Sequence, residues 1–128
     1  MEGRREARER ALELLYEAEI KDASSSDLIE SLPIAPDEYS VQLVEGVDAH
    51  RSEIDGLLRD HVKGWSLERM PAVDRALLRL ATYELLHERD VPVGVVISEA
   101  VELASEFSTD DSGRFVNGVL SAIARCRD

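Results

Sequence analysis

Apolar residues recur every three or four positions along most of this chain, which is the spacing of helices that bury one face. Ser24 and Asp27 have the spacing of a helix cap, and Pro71 suits the first turn of a helix. Asp90-Val91-Pro92 interrupts the pattern and separates two helices. The predicted helices cover about residues 4–21, 24–31, 36–62, 71–85, 96–107 and 115–124, with the third ending at Lys63-Gly64.

The segment GRFVNGVLSAIA at residues 113–124 contains Asn-Gly between apolar residues, which is a strong signal for a β-hairpin. Its apolar residues fall at i, i+1, i+4, i+5, i+8 and i+9, a helix period with no alternation. We therefore predict one helix that runs through Asn117-Gly118. Gly118 and Ala122 lie one turn apart, and we expect another helix to pack closely against them.

No segment shows the alternation of a β-strand, so the predicted fold class is all-α, with about six or seven helices. The chain of 128 residues is long enough for one domain with a modest core. Its apolar runs are far shorter than a membrane span. A single cysteine, Cys126, fits a reducing, cytoplasmic compartment.

Residues that commonly carry catalysis form no recognisable motif in this sequence. His50, His61 and His87 are scattered and no cysteine pair joins them, so no metal site is predicted. A glycine-rich phosphate loop and a nucleophile elbow are both missing. The sequence therefore predicts neither an enzyme nor a cofactor.

The net charge of −12 argues against non-specific binding of nucleic acid, but the charge is unevenly distributed. At 100° per residue, Arg4, Arg5, Arg8 and Tyr16 lie on one flank of the first helix, and Arg10 lies opposite. Arginines clamp phosphates and tyrosine stacks on bases, so this flank has the outline of a small RNA-binding surface. The alternative is an ordinary amphipathic helix with i,i+4 ion pairs, which the helix alone favours.

Several short motifs occur in a specific order in the C-terminal half. They are Val73-Asp74-Arg75-Ala76-Leu77-Leu78-Arg79, Tyr83-Glu84-Leu85, Asp90-Val91-Pro92, Ser98-Glu99-Ala100-Val101-Glu102-Leu103-Ala104 and Phe115-Val116-Asn117-Gly118. Together with the arginine-rich first helix, this set resembles the NusB family of bacterial transcription antitermination factors. The resemblance spans nearly the whole chain, although about 22–64 matches only in helix content and length.

The resemblance implies a single all-helical domain with two helical halves, about 1–64 and 65–128. It implies binding of boxA-type single-stranded RNA from ribosomal RNA leaders, jointly with the small-subunit ribosomal protein that serves as NusE. The resulting complex would join RNA polymerase and other Nus factors, support ribosome biogenesis and require no catalysis.

In the NusB family, which this chain resembles, the RNA surface comprises the arginine-rich start of the first helix, the tyrosine of that helix, and the turn before Phe-Val-Asn-Gly. The alternative to RNA contact is packing in the core for Phe115 and helix capping for Asp111. Glu6 stands where the family usually has a basic residue. The resemblance thus selects Arg4, Arg5, Arg8, Tyr16, Arg114 and Phe115, with Asp111 beside them.

The ribosomal-protein surface of that family includes the acidic start of the helix after Trp65. In this chain that points to Glu68 and Asp74, although acidic residues near a helix start are also favourable without any partner. Two other functions remain open: the RNA-binding domain of a ribosomal RNA cytosine methyltransferase, and a scaffold or homodimer that contacts only protein.

Overall fold

The computed structural model describes residues 2–62 and 66–126, and side chains from residue 4 onward. Those residues form seven α-helices and no strand, which confirms the all-α prediction. The helices are α1 (Glu2–Lys21), α2 (Ser25–Ser31), α3 (Glu38–Ala49), α4 (Arg51–His61), α5 (Ala72–His87), α6 (Val93–Phe107) and α7 (Asp110–Cys126), with a 3₁₀ turn at Leu67–Arg69. None of these helices is both long and apolar enough to cross a membrane.

Several helix ends lie where the sequence places them. The Ser24 hydroxyl accepts a hydrogen bond from the Asp27 backbone N–H at 3.1 Å and caps α2. Pro71 and Pro92 immediately precede α5 and α6. After α1 the chain turns at Asp22, which has a φ of 53°. This left-handed conformation ends many helices, and Asp tolerates it better than most residues.

The predicted long helix over 36–62 is wrong, because the structure has two helices there. His50 separates α3 from α4 with φ −113° and ψ 21°, outside the helical region. Both helices direct apolar residues to the core, with Val47 before the break and Ile54 after it. The apolar period therefore continues across the bend and does not reveal it. The predicted end at Lys63-Gly64 lies outside the described residues, as does Trp65.

The core is organised around α5, which packs against α1, α3, α4, α6 and α7. Leu77, Leu78, Leu80 and Leu85 of α5 are fully buried. One cluster of buried side chains extends from Ala11 in α1 to Ile123 in α7. Because α5 contacts helices from both parts of the sequence, it fixes α1 relative to α6 and α7. The division into halves at about residue 64 stays a prediction.

The segment 113–124 lies within α7, which confirms that the chain runs through Asn117-Gly118. The expected close packing at Gly118 is wrong, because a Cβ built there meets nothing within 4 Å. The close approach occurs at two other glycines. A Cβ at Gly113 would lie 2.8 Å from the Ser105 hydroxyl of α6, and a Cβ at Gly46 would lie 2.3 Å from the Tyr83 ring.

These contacts predict opposite effects of the same substitution at two helical glycines. Gly118→Ala should stabilise the protein by about 0.5–1 kcal/mol, because alanine is the better helix former and the site is open. Gly46→Ala should destabilise it by about 1–3 kcal/mol, because the buried Tyr83 ring has to move. Urea unfolding measures both values. A stabilised Gly46→Ala variant would show that Tyr83 relaxes freely.

Candidate nucleic-acid interface

The N-terminal turns of α1 line a groove of about 790 Å³ that faces the loop before α6. Arg4 and Arg5 lie along one side of it, and Asp90 and Val95 lie along the other. Glu6 also lines the groove and is exposed. With Arg8, three arginines line this concave surface together with carboxylates, so its charge is mixed rather than uniformly basic.

Arg4 and Arg5 are both held by partners within the protein. Arg5 donates a hydrogen bond to Glu102 of α6 at 2.7 Å and pairs with Glu99 at 3.4 Å. The hydrogen bond to Glu102 raises the pKa of the Arg5 guanidinium. Arg4 lies 3.9 Å from the Asp90 carboxylate and 4.4 Å above the centre of the Tyr39 ring. Ion pairs of exposed groups are worth only about 0–1 kcal/mol, so a phosphate can replace these carboxylates at small cost.

Arg8 forms part of the groove lining but is almost wholly buried, which its selection as an RNA-contacting residue did not anticipate. Only 4% of Arg8 is exposed, because Glu84 of α5 draws the side chain into the core. Its Nε lies 3.0 Å from both Glu84 oxygens, and the Tyr39 hydroxyl donates to the same carboxylate at 3.1 Å. Burial lowers the pKa of Arg8, but the hydrogen bond to Glu84 and the charges of Glu84, Tyr39 and Glu99 together outweigh it, so the pKa is raised. Arg8 therefore positions α1 in this structure, and its contact with RNA stays a prediction.

The start of α7 presents the second part of the predicted surface. Arg114 is 78% exposed and pairs with Asp111, itself exposed, one turn before it. Phe115 is half-buried and packs against the core, so only part of its side chain is available to a ligand. Glu102 and Ser105 lie one turn apart on α6, where Glu102 contacts Arg5 and Ser105 contacts Gly113, the residue before Arg114. One face of α6 therefore contacts both arginine sites.

Tyr16 is separated from the groove along α1. It is 39% exposed, on the same flank as Arg5 and about 16 Å further along the helix axis. Ile20, one turn beyond, is also exposed. Tyr16 can therefore meet a ligand that extends along α1, but not one confined to the groove.

The two residues selected for the protein partner lie in different environments. Glu68 is exposed on the 3₁₀ turn, where hydrogen bonds from Arg59, from its own backbone N–H and from Ser66 lower its pKa to about 2. Asp74 is only 1% exposed, and one of its oxygens accepts a bond from the Ser112 hydroxyl at 3.0 Å. Asp74 joins α5 to the start of α7 in the interior, which does not favour its selection as a docking charge, and that selection stays a prediction.

The sequence pattern did not identify the acidic partners of the arginines, namely Glu84, Glu99 and Glu102. One signal for Glu84 was present. It follows Leu77 and Leu80 at helical spacing on the buried face of α5, where an ionised residue requires a partner. The pairing of Glu99 and Glu102 with Arg5 depends on the packing of α6 and carries no comparable signal.

The histidines are not all scattered, contrary to the expectation from their spacing. His50 and His87 stack with ring centroids 3.8 Å apart, and Glu53 lies beside both. His61 is separate and lies 3.7 Å from the Cys126 sulfur. The fold thus joins two histidines that are far apart in sequence.

Comparison with known proteins gives one consistent result. The sequence model of the NusB family matches residues 5–125. Transcription antitermination protein NusB of Saccharopolyspora erythraea is 53% identical, over 100% of this chain and 90% of that protein. A structure of T. maritima NusB superposes with a TM-score of 0.88 at 38% identity, covering 97% of this chain and 92% of the other. A crystal structure of antitermination factors NusB and NusE in complex with double-stranded RNA has a TM-score of 0.86 at 32% identity, with 98% of each chain covered.

Proposed function

The chain belongs to the NusB family, and from that premise we propose that it binds RNA together with a NusE-type small-subunit ribosomal protein. Its expected target is boxA-type RNA in the leader of ribosomal RNA operons. Bound there, it would join RNA polymerase and other Nus factors and oppose premature termination. The related structure with NusE and RNA supports both partners.

The observation that carries the proposal is the pair of arginine sites that border the same face of α6. Arg5 is half-buried and its closest carboxylate, Glu102, is exposed, while Arg114 and its partner Asp111 are both exposed, so these ion pairs are weak. A phosphate offers the same charge with planar, bidentate hydrogen bonding to guanidinium. We assign phosphate contacts to Arg4, Arg5 and Arg114, and base stacking to Tyr16 and Phe115.

The acidic neighbours of these arginines explain why a second protein is needed. Glu6, Glu99 and Glu102 lie within the same surface and oppose the approach of a polyanion. A basic ribosomal protein bound nearby would neutralise part of this field and add its own RNA contacts. Glu68 is the exposed acidic residue that we assign to that partner.

A protein-only scaffold or homodimer is the second candidate, because intramolecular carboxylates already pair with Arg4, Arg5 and Arg114. The two functions differ in one measurement. A scaffold binds the ribosomal protein with the same affinity whether or not RNA is present. An RNA-binding factor binds the ribosomal protein more tightly when boxA-type RNA is present, since the coupling is reciprocal.

The arginines should differ in their contribution to RNA binding. Arg5→Ala and Arg114→Ala should each weaken binding of boxA-type RNA and reduce the salt slope by about 0.7 for each phosphate that the variant no longer neutralises. Glu6→Arg should raise affinity, and more so at low salt, because the exposed site is screened. Fluorescence titration with the ribosomal protein present, at two salt concentrations, measures these effects.

Arg10→Ala is the matched control, because Arg10 is also on α1 but pairs with Glu13 at 3.1 Å on the other side of the helix. Its affinity and salt slope should equal those of the unmodified protein. Equal losses of affinity at Arg5, Arg10 and Arg114 would show that only total charge matters. Failure of every protein, including Glu6→Arg, to bind RNA would favour the scaffold.

A further inference from the structure

A cluster of potential metal ligands lies on the face of the molecule where α3 meets α4 and α5 ends. His50 is the junction residue, Glu53 is in the first turn of α4, and His87 is the last residue of α5. His87 Nε2 lies 3.0 Å from Glu53 Oε1, and His50 Nδ1 lies 3.5 Å from the same oxygen. Two imidazole nitrogens therefore converge on one point beside a carboxylate.

Packing beneath the cluster positions the two rings. The His87 ring stacks on Tyr83 with centroids 5.5 Å apart, and the His50 ring stacks on His87 at 3.8 Å. Tyr83 is buried and donates a hydrogen bond to Glu88 at 3.0 Å. It can occupy this place because Gly46 has no side chain. The interior thus holds both rings beside Glu53. Because the stacked rings are nearly parallel, they would tilt apart for both nitrogens to face one ion.

We propose that His50, Glu53 and His87 bind a divalent transition-metal ion, with Zn²⁺ as the preferred ion. One ligand atom from each residue lies within 4.8 Å of the others. Two imidazoles and one carboxylate are a ligand set that zinc uses, with a fourth position left for water. Imidazole favours zinc, copper and nickel over Mg²⁺ and Ca²⁺, which prefer oxygen ligands.

A bound ion would connect the α3–α4 junction to the end of α5. His50 and Glu53 are three residues apart, but His87 is 34 residues from Glu53, so the unfolded chain does not hold all three ligands together. Metal binding therefore stabilises the folded state and raises its unfolding temperature with metal concentration. This site is independent of the arginines that we assign to RNA.

The test uses the untagged full chain and competition between the protein and a chromophoric chelator for Zn²⁺. We expect one Zn²⁺ per chain and a higher unfolding temperature with zinc than with the same concentration of Mg²⁺. Glu53→Gln and His87→Ala should each weaken binding by about tenfold or more and remove the zinc-dependent rise. Circular dichroism checks that both variants fold. Because Glu53 is exposed, Glu53→Gln should stay folded and still tests the site if His87→Ala unfolds.

His61→Ala is the matched control, because the chain has three histidines and the third lies beside Cys126. This variant should bind Zn²⁺ like the unmodified protein. With Co²⁺, a cluster of nitrogen and oxygen ligands gives no thiolate charge-transfer band. The proposal is overturned if the unmodified protein fails to bind, if His61→Ala abolishes binding, or if Glu53→Gln and His87→Ala retain it.

Discussion

Arg8→Ala should destabilise the protein by about 3–5 kcal/mol, a large part of the stability of a domain this size. The substitution leaves the Glu84 carboxylate, 2% exposed, with the Tyr39 hydroxyl as its remaining strong donor. An ionised carboxylate in that position loses both its solvation and its counter-charge. The measurement is the free energy of unfolding in urea, with helicity followed by circular dichroism.

Two comparisons separate this effect from a general loss of charge. Arg10→Ala removes an exposed arginine from the same helix and should cost less than about 1 kcal/mol. The double variant Arg8→Met with Glu84→Leu should recover much of the stability, because neither residue then leaves a buried charge unpaired. If Arg8→Ala unfolds like Arg10→Ala but binds RNA poorly, Arg8 swings out to the ligand and its assignment to the core is wrong.

Asp74→Arg should destabilise the protein by several kcal/mol, on the order of 3–5, and should not act as a simple reversal of surface charge. The site is 1% exposed, so the larger side chain has no space and its charge has no water. The substitution also removes the hydrogen bond from Ser112 that ties α7 to α5. Urea unfolding should show the destabilisation without any partner present.

Glu68→Arg is the matched variant for the protein partner, because Glu68 is exposed and also follows a helix start. It should leave the fold intact while weakening binding of the ribosomal protein, since it reverses a charge at the proposed docking surface. Calorimetry with the partner and circular dichroism of the variant distinguish the two residues. Normal partner binding by Glu68→Arg would remove Glu68 from the proposed interface.

The sequence determined the fold class and the principal helices, because both depend on periodic burial and local caps. The helix period around Asn117-Gly118 was sufficient to reject a hairpin. Ser24 and the prolines before α5 and α6 set helix ends through local hydrogen bonds and fixed dihedral angles. These are interactions within a few residues, so no knowledge of the neighbouring helices was needed. The ordered motifs similarly predicted the family that the comparisons confirm.

Only the tertiary structure decided which polar residues on those helices face water. At 100° per residue, Arg5 and Arg8 lie on one flank of α1, yet Arg8 is buried because α5 brings Glu84 to it. Packing between helices likewise decides three other sites. Asp74 is covered by α7, Gly118 has no helix packed against it, and His50 is brought against His87. A helix pattern fixes the direction of each side chain about its own axis. Burial and pairing depend on what a second helix places opposite, and that placement is a property of the packed core as a whole.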